Sequence, residues 1–112
     1  MRQKKQLLRG ILSLLILSKL IENPSYGYAL EMEINGIIGD KLPRGTVYVI
    51  LKYMEKKGLI RAETRSDGRR VNVYFVTETG MELLYSHVEL LEKMKELISM
   101  IIESTEKVQK HL

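Results

Sequence analysis

Apolar residues run almost without a break near the start of the chain: Leu7, Leu8, Ile11, Leu12, Leu14, Leu15, Ile16, Leu17, Leu20 and Ile21. Their spacing predicts a helix over 3–21 that is apolar nearly all round, and such a helix is covered on several sides, by its own domain or by a partner subunit. Asn23-Pro24 ends it, because proline disfavours helical backbone in the residue before it. Ser25 stands where a cap is wanted for a second helix over about 26–36, with Tyr28, Ala29, Met32 and Ile34 turned inward. Gly36, Gly39 and Asp40 break that pattern. After Pro43, the residues Val47, Ile50, Leu51 and Met54 fall at i, i+3, i+4 and i+7, the mark of one buried stripe on a third helix over about 44–57. Gly58 follows where a helix closes in the left-handed conformation.

Leu59–Arg65 and Arg70–Val76 read as two short strands around Ser66-Asp67-Gly68-Arg69, since Asp-Gly between such runs supplies the positive φ of a hairpin turn. Thr77 caps a last long helix over about 78–109. The order helix, helix, helix, hairpin, helix describes a mainly α fold with a β-hairpin wing. It divides into a winged helix-turn-helix over 1–80, N-terminal helix included, and a C-terminal dimerisation helix over 81–112. In that last helix Leu84, Leu91 and Ile98 recur every seven residues, with Met94, Ile101 and Val108 interleaved. Leu83, Leu90 and Leu97 form a second series beside them. A stripe this broad exceeds what a head of about 75 residues covers with one helix, so a homodimer interface through Leu84, Leu91, Met94, Ile98 and Ile101 is expected. The competing expectation is a terminal helix folded back on its own domain.

Composition narrows the chemistry. The 112 residues suffice for one domain, and the absence of cysteine excludes disulfides, thiolate metal sites and a thiol nucleophile. Residues 1–80 carry 14 basic and 8 acidic side chains, whereas 81–112 carry 4 and 6. Within 41–70, nine basic residues face three acids, Glu55, Glu63 and Asp67. A positive charge this local favours a polyanion, either nucleic acid or an anionic membrane surface. Arg2, Lys4 and Lys5 ahead of Ile11–Leu17 imitate a secretory signal, but Arg9 and Lys19 interrupt it and no small-residue cleavage site follows. The apolar run also falls short of the roughly 20 residues that span a bilayer, so the expectation is a buried helix in a cytoplasmic protein.

The third helix has a face suited to double-stranded DNA. With its stripe turned in, it presents Arg44, Thr46, Tyr48, Lys52, Tyr53 and Lys56, groups that pair with phosphates, guanine edges and phosphate oxygens. Gly45 lets backbone N–H groups approach a phosphate at the helix start. An ordinary solvated basic face is an equal alternative for this helix alone. The hairpin shifts the balance, because Arg61, Arg65, Arg69 and Arg70 cluster around its glycine-containing tip, where they suit a DNA backbone or minor groove. On its own, such a charged edge more often serves to block sheet-to-sheet association.

Four segments together resemble the PadR family of transcriptional regulators: Ser25-Tyr26-Gly27-Tyr28, Pro43-Arg44-Gly45-Thr46-Val47-Tyr48, Lys57-Gly58-Leu59-Ile60, and Gly68-Arg69-Arg70 leading into Tyr74-Phe75-Val76-Thr77-Glu78-Thr79-Gly80. The similarity spans residues 7–80 in order. Val47, Met54 and Val49 depart from the family's usual residues at apolar or peripheral positions. The resemblance implies a dimeric winged-helix repressor with its recognition helix and wing on DNA. By match to the family's motifs, Gly45, Thr46 and Tyr48 belong to the recognition helix, Gly68, Arg69 and Arg70 to the wing, and Tyr26 to a phosphate-contacting position. Arg44, Lys52 and Arg65 join them from helix and hairpin placement. Related members respond to small aromatic or cationic compounds, so a small-molecule effector is an expected partner. With no Trp and one Phe, this chain gives little support to an aromatic sandwich.

No enzyme is expected, since no nucleophile elbow, phosphate-binding glycine loop or paired-carboxylate set is present, and no cofactor is implied. His87 and His111 stand 24 positions apart without ligand-spaced companions, so no metal site is expected. Two other classes compete with DNA binding. One is a winged-helix module that binds another protein; the other is a membrane-surface protein using residues 1–21.

Overall fold

A computed structural model describes residues 2–39, 42–66 and 70–111, with the side chains of residues 2–7 and of Arg70 outside that description. Asp40, Asp67, Gly68 and Arg69 lie outside the described residues. The chain runs α1 (Arg2–Glu22), β1 (Ser25–Tyr26), α2 (Gly27–Ile38), α3 (Thr46–Lys56), β2 (Ile60–Ser66), β3 (Arg70–Val76), α4 (Glu78–Ser86) and α5 (Val88–Lys110). This is the winged helix-turn-helix that the sequence predicts, with two additions: a third strand and a break in the last helix.

One core organises the head. Leu12, Ile16, Leu17 and Leu20 of α1 are buried with Leu30 and Ile34 of α2 and with Val47, Ile50, Leu51 and Met54 of α3. Ile60 and Tyr74 close the core from the sheet. The α3 stripe is the one its spacing predicts. The face of α2 is not. Tyr28, Ala29 and Met32 are exposed; Ile34 is buried as expected, and Gly27 and Leu30 face the core beside it. Leu30 and Ile34 lie one turn apart, and Gly27 brings the α2 backbone close to its neighbours, which rotates the larger Tyr28 and Met32 outward. The all-apolar α1 is likewise buried along one face only, for Leu8 and Ile11 are exposed. Lys19 of α1 holds Glu33 of α2 at 3.1 Å, and the Glu33 carboxylate raises the ammonium pKa first through that hydrogen bond.

Ser25 does not cap α2. The N-cap residue is Tyr26, which makes no side-chain cap bond, and the Ser25 hydroxyl donates to the Asn23 carbonyl at 3.3 Å. Ser25 and Tyr26 instead add a short antiparallel edge to the hairpin, Ser25 opposite Tyr74 and Tyr26 opposite Val73. The sheet order is β1-β3-β2. β2 and β3 pair in unbroken register from Ile60 opposite Val76 to Ser66 opposite Arg70.

The end of α3 is locked to the start of α4. Leu59 N–H donates to Met54 O and Gly58 N–H to Glu55 O, with Gly58 at φ +76°, a helix-closing pair of bonds that only a left-handed residue permits. The Thr77 hydroxyl donates to Gly58 O at 2.6 Å and accepts from Gly80 N–H at 3.1 Å, capping α4 as expected. Gly80 lies so close to this junction that a β-carbon there would meet the Leu59 carbonyl oxygen. Gly36, in the interior of α2, has open space in the same position.

Two substitutions separate these environments. Gly80→Ala is expected to destabilise the fold by about 3 kcal/mol through backbone overlap, and Gly36→Ala to stabilise it by about 0.5–1 kcal/mol. Chemical denaturation of both variants checks the pair.

Candidate nucleic-acid interface

α3 begins where the chain enters it from Arg44 and Gly45, both in the turn before the helix. Arg44 is therefore exposed ahead of α3 rather than on its outer face. Gly45 is the N-cap residue at φ +86°, a conformation that L side chains rarely adopt, and a β-carbon there would meet nothing within 4 Å. The opening that the sequence predicts at the helix start is thus present. Thr46 is half-buried, and its hydroxyl donates to Pro43 O at 2.7 Å. That bond fixes the turn and leaves the oxygen lone pairs of Thr46 to accept.

Beyond the first residue, α3 divides by exposure. Val47, Ile50, Leu51 and Met54 are buried; Tyr48, Lys52 and Lys56 are exposed on the other side with Val49 and Tyr53. Tyr48 is 41% exposed. Its ring edge rests over Gly27, where an added β-carbon would lie 2.8 Å from the Tyr48 ring and 3.3 Å from that of Tyr74. Partial burial, and next the Glu31 carboxylate, hold the Tyr48 phenol above its ordinary pKa, so it stays a protonated donor. Gly27 is the residue that sequence reasoning missed. Its signal lay in the Tyr26-Gly27-Tyr28 triplet, but its role depends on the packing of α2 against α3 and β3.

Tyr26 is exposed at the N-cap of α2, on the β1 edge. Arg65 is exposed towards the far end of β2. Arg70 opens β3 opposite Ser66, and Gly68 and Arg69 fall in the segment outside the described residues. Arg61 is exposed at the base of β2, its guanidinium 4.3 Å from the Phe75 ring centroid and 2.6 Å from Glu63 Oε1. A groove of about 300 Å³ separates α1 from α3, lined by Arg9, Gly10, Ser13, Val49, Ile50 and Tyr53.

The last helix departs from a single continuous rod. His87 interrupts it: its ring Nδ1 lies 2.7 Å from Leu83 O, while its backbone N–H turns to Leu84 O at 3.1 Å. The side chain takes the carbonyl that the backbone would have used, which separates α4 from α5. Leu83 and Leu84 are partly buried and pack against the head's core. Leu91 and Met94 are half-buried, and Ile98 and Ile101 are exposed. α5 buries no residue at all, although Leu90, Leu97, Ile98, Ile101 and Ile102 lie along it. It therefore does not fold back into the core, and it helps to extend the molecule to 59 Å along its longest axis. Among the described residues there is no group of His, Asp and Glu able to hold a metal ion, and no helix is long and apolar enough to cross a membrane.

Residues 16–86 match the model of the transcriptional regulator PadR-like family. A solved candidate transcriptional regulator from Thermoplasma acidophilum is 28% identical with a TM-score of 0.77, covering 88% of this chain and 95% of that one. A PadR family transcription regulator from Clostridium difficile is also 28% identical, with a TM-score of 0.69 over 81% of this chain and 97% of its own. An uncharacterised protein of Lysinibacillus sphaericus is 29% identical over 107 residues, 92% of this chain and 98% of the relative.

Gly27→Ala should displace the Tyr48 ring and cost about 1–2 kcal/mol of stability, because the new methyl group overpacks a contact between two rings. Thermal unfolding reads the cost, and the Tyr48 ring resonances in NMR spectra read the displacement.

Proposed function

Because the chain belongs to the PadR-like family of transcriptional regulators, we propose that it is a homodimeric repressor that binds a palindromic DNA operator through α3 and the β2–β3 hairpin. The observation that carries the reading is the division of α3, a helix anchored by four buried apolar residues whose opposite side offers Tyr48, Lys52 and Lys56. In this reading Lys52 and Lys56 neutralise phosphates, Tyr48 donates its phenol O–H, and the turn at Arg44–Thr46 approaches the backbone. Arg65, Arg69 and Arg70 supply the wing, and Tyr26 adds a contact at the start of α2. The local excess of basic residues over 41–70 supplies the electrostatic attraction.

The apolar residues of α5 support the dimer. A helix of 23 residues is about 35 Å long, enough for an extended pairing with a second copy. Leu91, Met94, Ile98 and Ile101 would meet the partner, and the exposed Leu8 and Ile11 of α1 would add to the covered surface. A two-fold arrangement sets the recognition helices roughly 34 Å apart, one turn of DNA, and so calls for a palindrome. Repression follows by occupancy of a promoter, and a small-molecule effector would act by favouring a dimer whose helix spacing no longer matches the DNA.

Titration of the DNA upstream of its own gene, at two salt concentrations with unrelated competitor, tests the reading. Tight palindrome-dependent binding is expected, and equally weak binding to every sequence overturns it in favour of a protein-binding module. Tyr48→Ala should weaken operator binding about tenfold, the loss of roughly one charge-assisted contact, while the oligomeric state persists. Lys52→Ala should reduce the salt slope by about 0.9 if it meets one phosphate. A double Ile98→Glu, Ile101→Glu variant should sediment as a monomer, because like charges replace apolar contact along α5.

A further inference from the structure

The register of the hairpin places three charged residues in a row. Arg61 pairs across to Phe75, Glu63 to Val73 and Arg65 to Val71, so the three share one face of β2. The alternate residues Ile60 and Ala62 face the core. Glu63 thus sits between two guanidinium groups, 2.6 Å from Arg61 Nη1 and 3.7 Å from Arg65 Nη2, one carboxylate oxygen on each.

The two arginines are not held alike. Arg61 has a short charge-assisted hydrogen bond and a ring face beneath its guanidinium. Among the described residues Arg65 has only the longer contact with the same carboxylate, and it stands nearer the hairpin tip. A carboxylate between two guanidiniums presents the charge and oxygen geometry that a phosphate would present. Its pKa is lowered, first by the Arg61 hydrogen bond, so it remains charged wherever DNA is bound.

We infer that Glu63 is an intramolecular stand-in for phosphate: it occupies the Arg65 guanidinium in the free protein, and a DNA backbone must displace it to gain that contact. Arg61 keeps its carboxylate partner throughout, and only Arg65 exchanges. Glu63 therefore limits the sequence-independent affinity of the wing and acts on DNA through Arg65, without touching it. This inference rests on the DNA-binding reading above.

Fluorescence anisotropy with a random-sequence duplex and with the upstream DNA tests it, using the full chain and its Glu63→Gln, Arg65→Gln and doubly substituted variants at several salt concentrations. Glu63→Gln should tighten binding to both duplexes about two- to five-fold at low salt, the range of an exposed ion pair. Its salt slope should stay close to that of the wild type, since Arg65 meets the same phosphate in both complexes, whereas Arg65→Gln should lower the slope by about 0.9. In the Arg65→Gln background the same substitution should add nothing. An unchanged affinity in Glu63→Gln, or an equal gain without Arg65, overturns the inference and leaves DNA binding intact. Absence of binding by the wild type to either duplex overturns the premise and the inference together. Thermal melting near the wild-type value verifies that each variant is folded.

Discussion

The arrangement of the head depends on the Thr77 junction. One hydroxyl donates to the last residue of the α3 closure, Gly58, and accepts from Gly80 at the start of α4, while Thr77 N–H reaches Leu59 O at 3.0 Å. Two chain segments 19 positions apart in sequence, 58–59 and 77–80, are thereby pinned together. The end of α3, the base of the hairpin and the first turn of α4 are joined through these bonds. Gly80 is part of the same constraint, since any side chain there would force the α4 backbone away from Leu59. The charged surface of α3 and the base of the wing are accordingly fixed relative to each other through this junction, with α4 attached.

That rigidity sets off two kinds of surface. α3 is held by deep apolar anchors and is polar or half-polar outside, a division that lets charge be displayed without weakening the core. α5 has the opposite character. Its apolar residues are outside, and its adjoining element α4 has already spent Leu83 and Leu84 on the head. Ionic pairs along α5, such as Glu103 with Lys107 at 3.8 Å, lie exposed and contribute little.

The parts legible in the sequence are those governed by local periodicity and local chemistry. The α3 stripe, Gly58, the pairing of β2 with β3 and the Thr77 cap all follow from neighbours within a few positions. What escaped it arises between distant segments. Ser25 and Tyr26 are extended because Tyr74 and Val73 offer a free strand edge, which no reading of their own neighbourhood reveals. The face of α2 follows from the Tyr48 and Tyr74 rings that pack over Gly27, a contact that the size of Tyr28 and Met32 does not reveal. His87 broke the last helix through a ring nitrogen competing for a carbonyl, an outcome its heptad position does not encode. At the candidate site the basic residues were plain from composition, but the partners that hold them, Gly27 beneath Tyr48 and Glu63 between two arginines, needed strand register and helix packing.

The exposed apolar character of α5 gives the molecule two separate scales of backbone persistence. In the head, breaking a core hydrogen bond requires opening α1, α3 and the sheet together, so its amide protons exchange with solvent only on global unfolding. In α5 nothing buried must be undone first, and an unsupported helix of this length is only marginally formed in water. Its amides are shielded to the degree that another surface covers them. Hydrogen exchange along residues 88–110 is then a gauge of association, slowing as protein concentration rises.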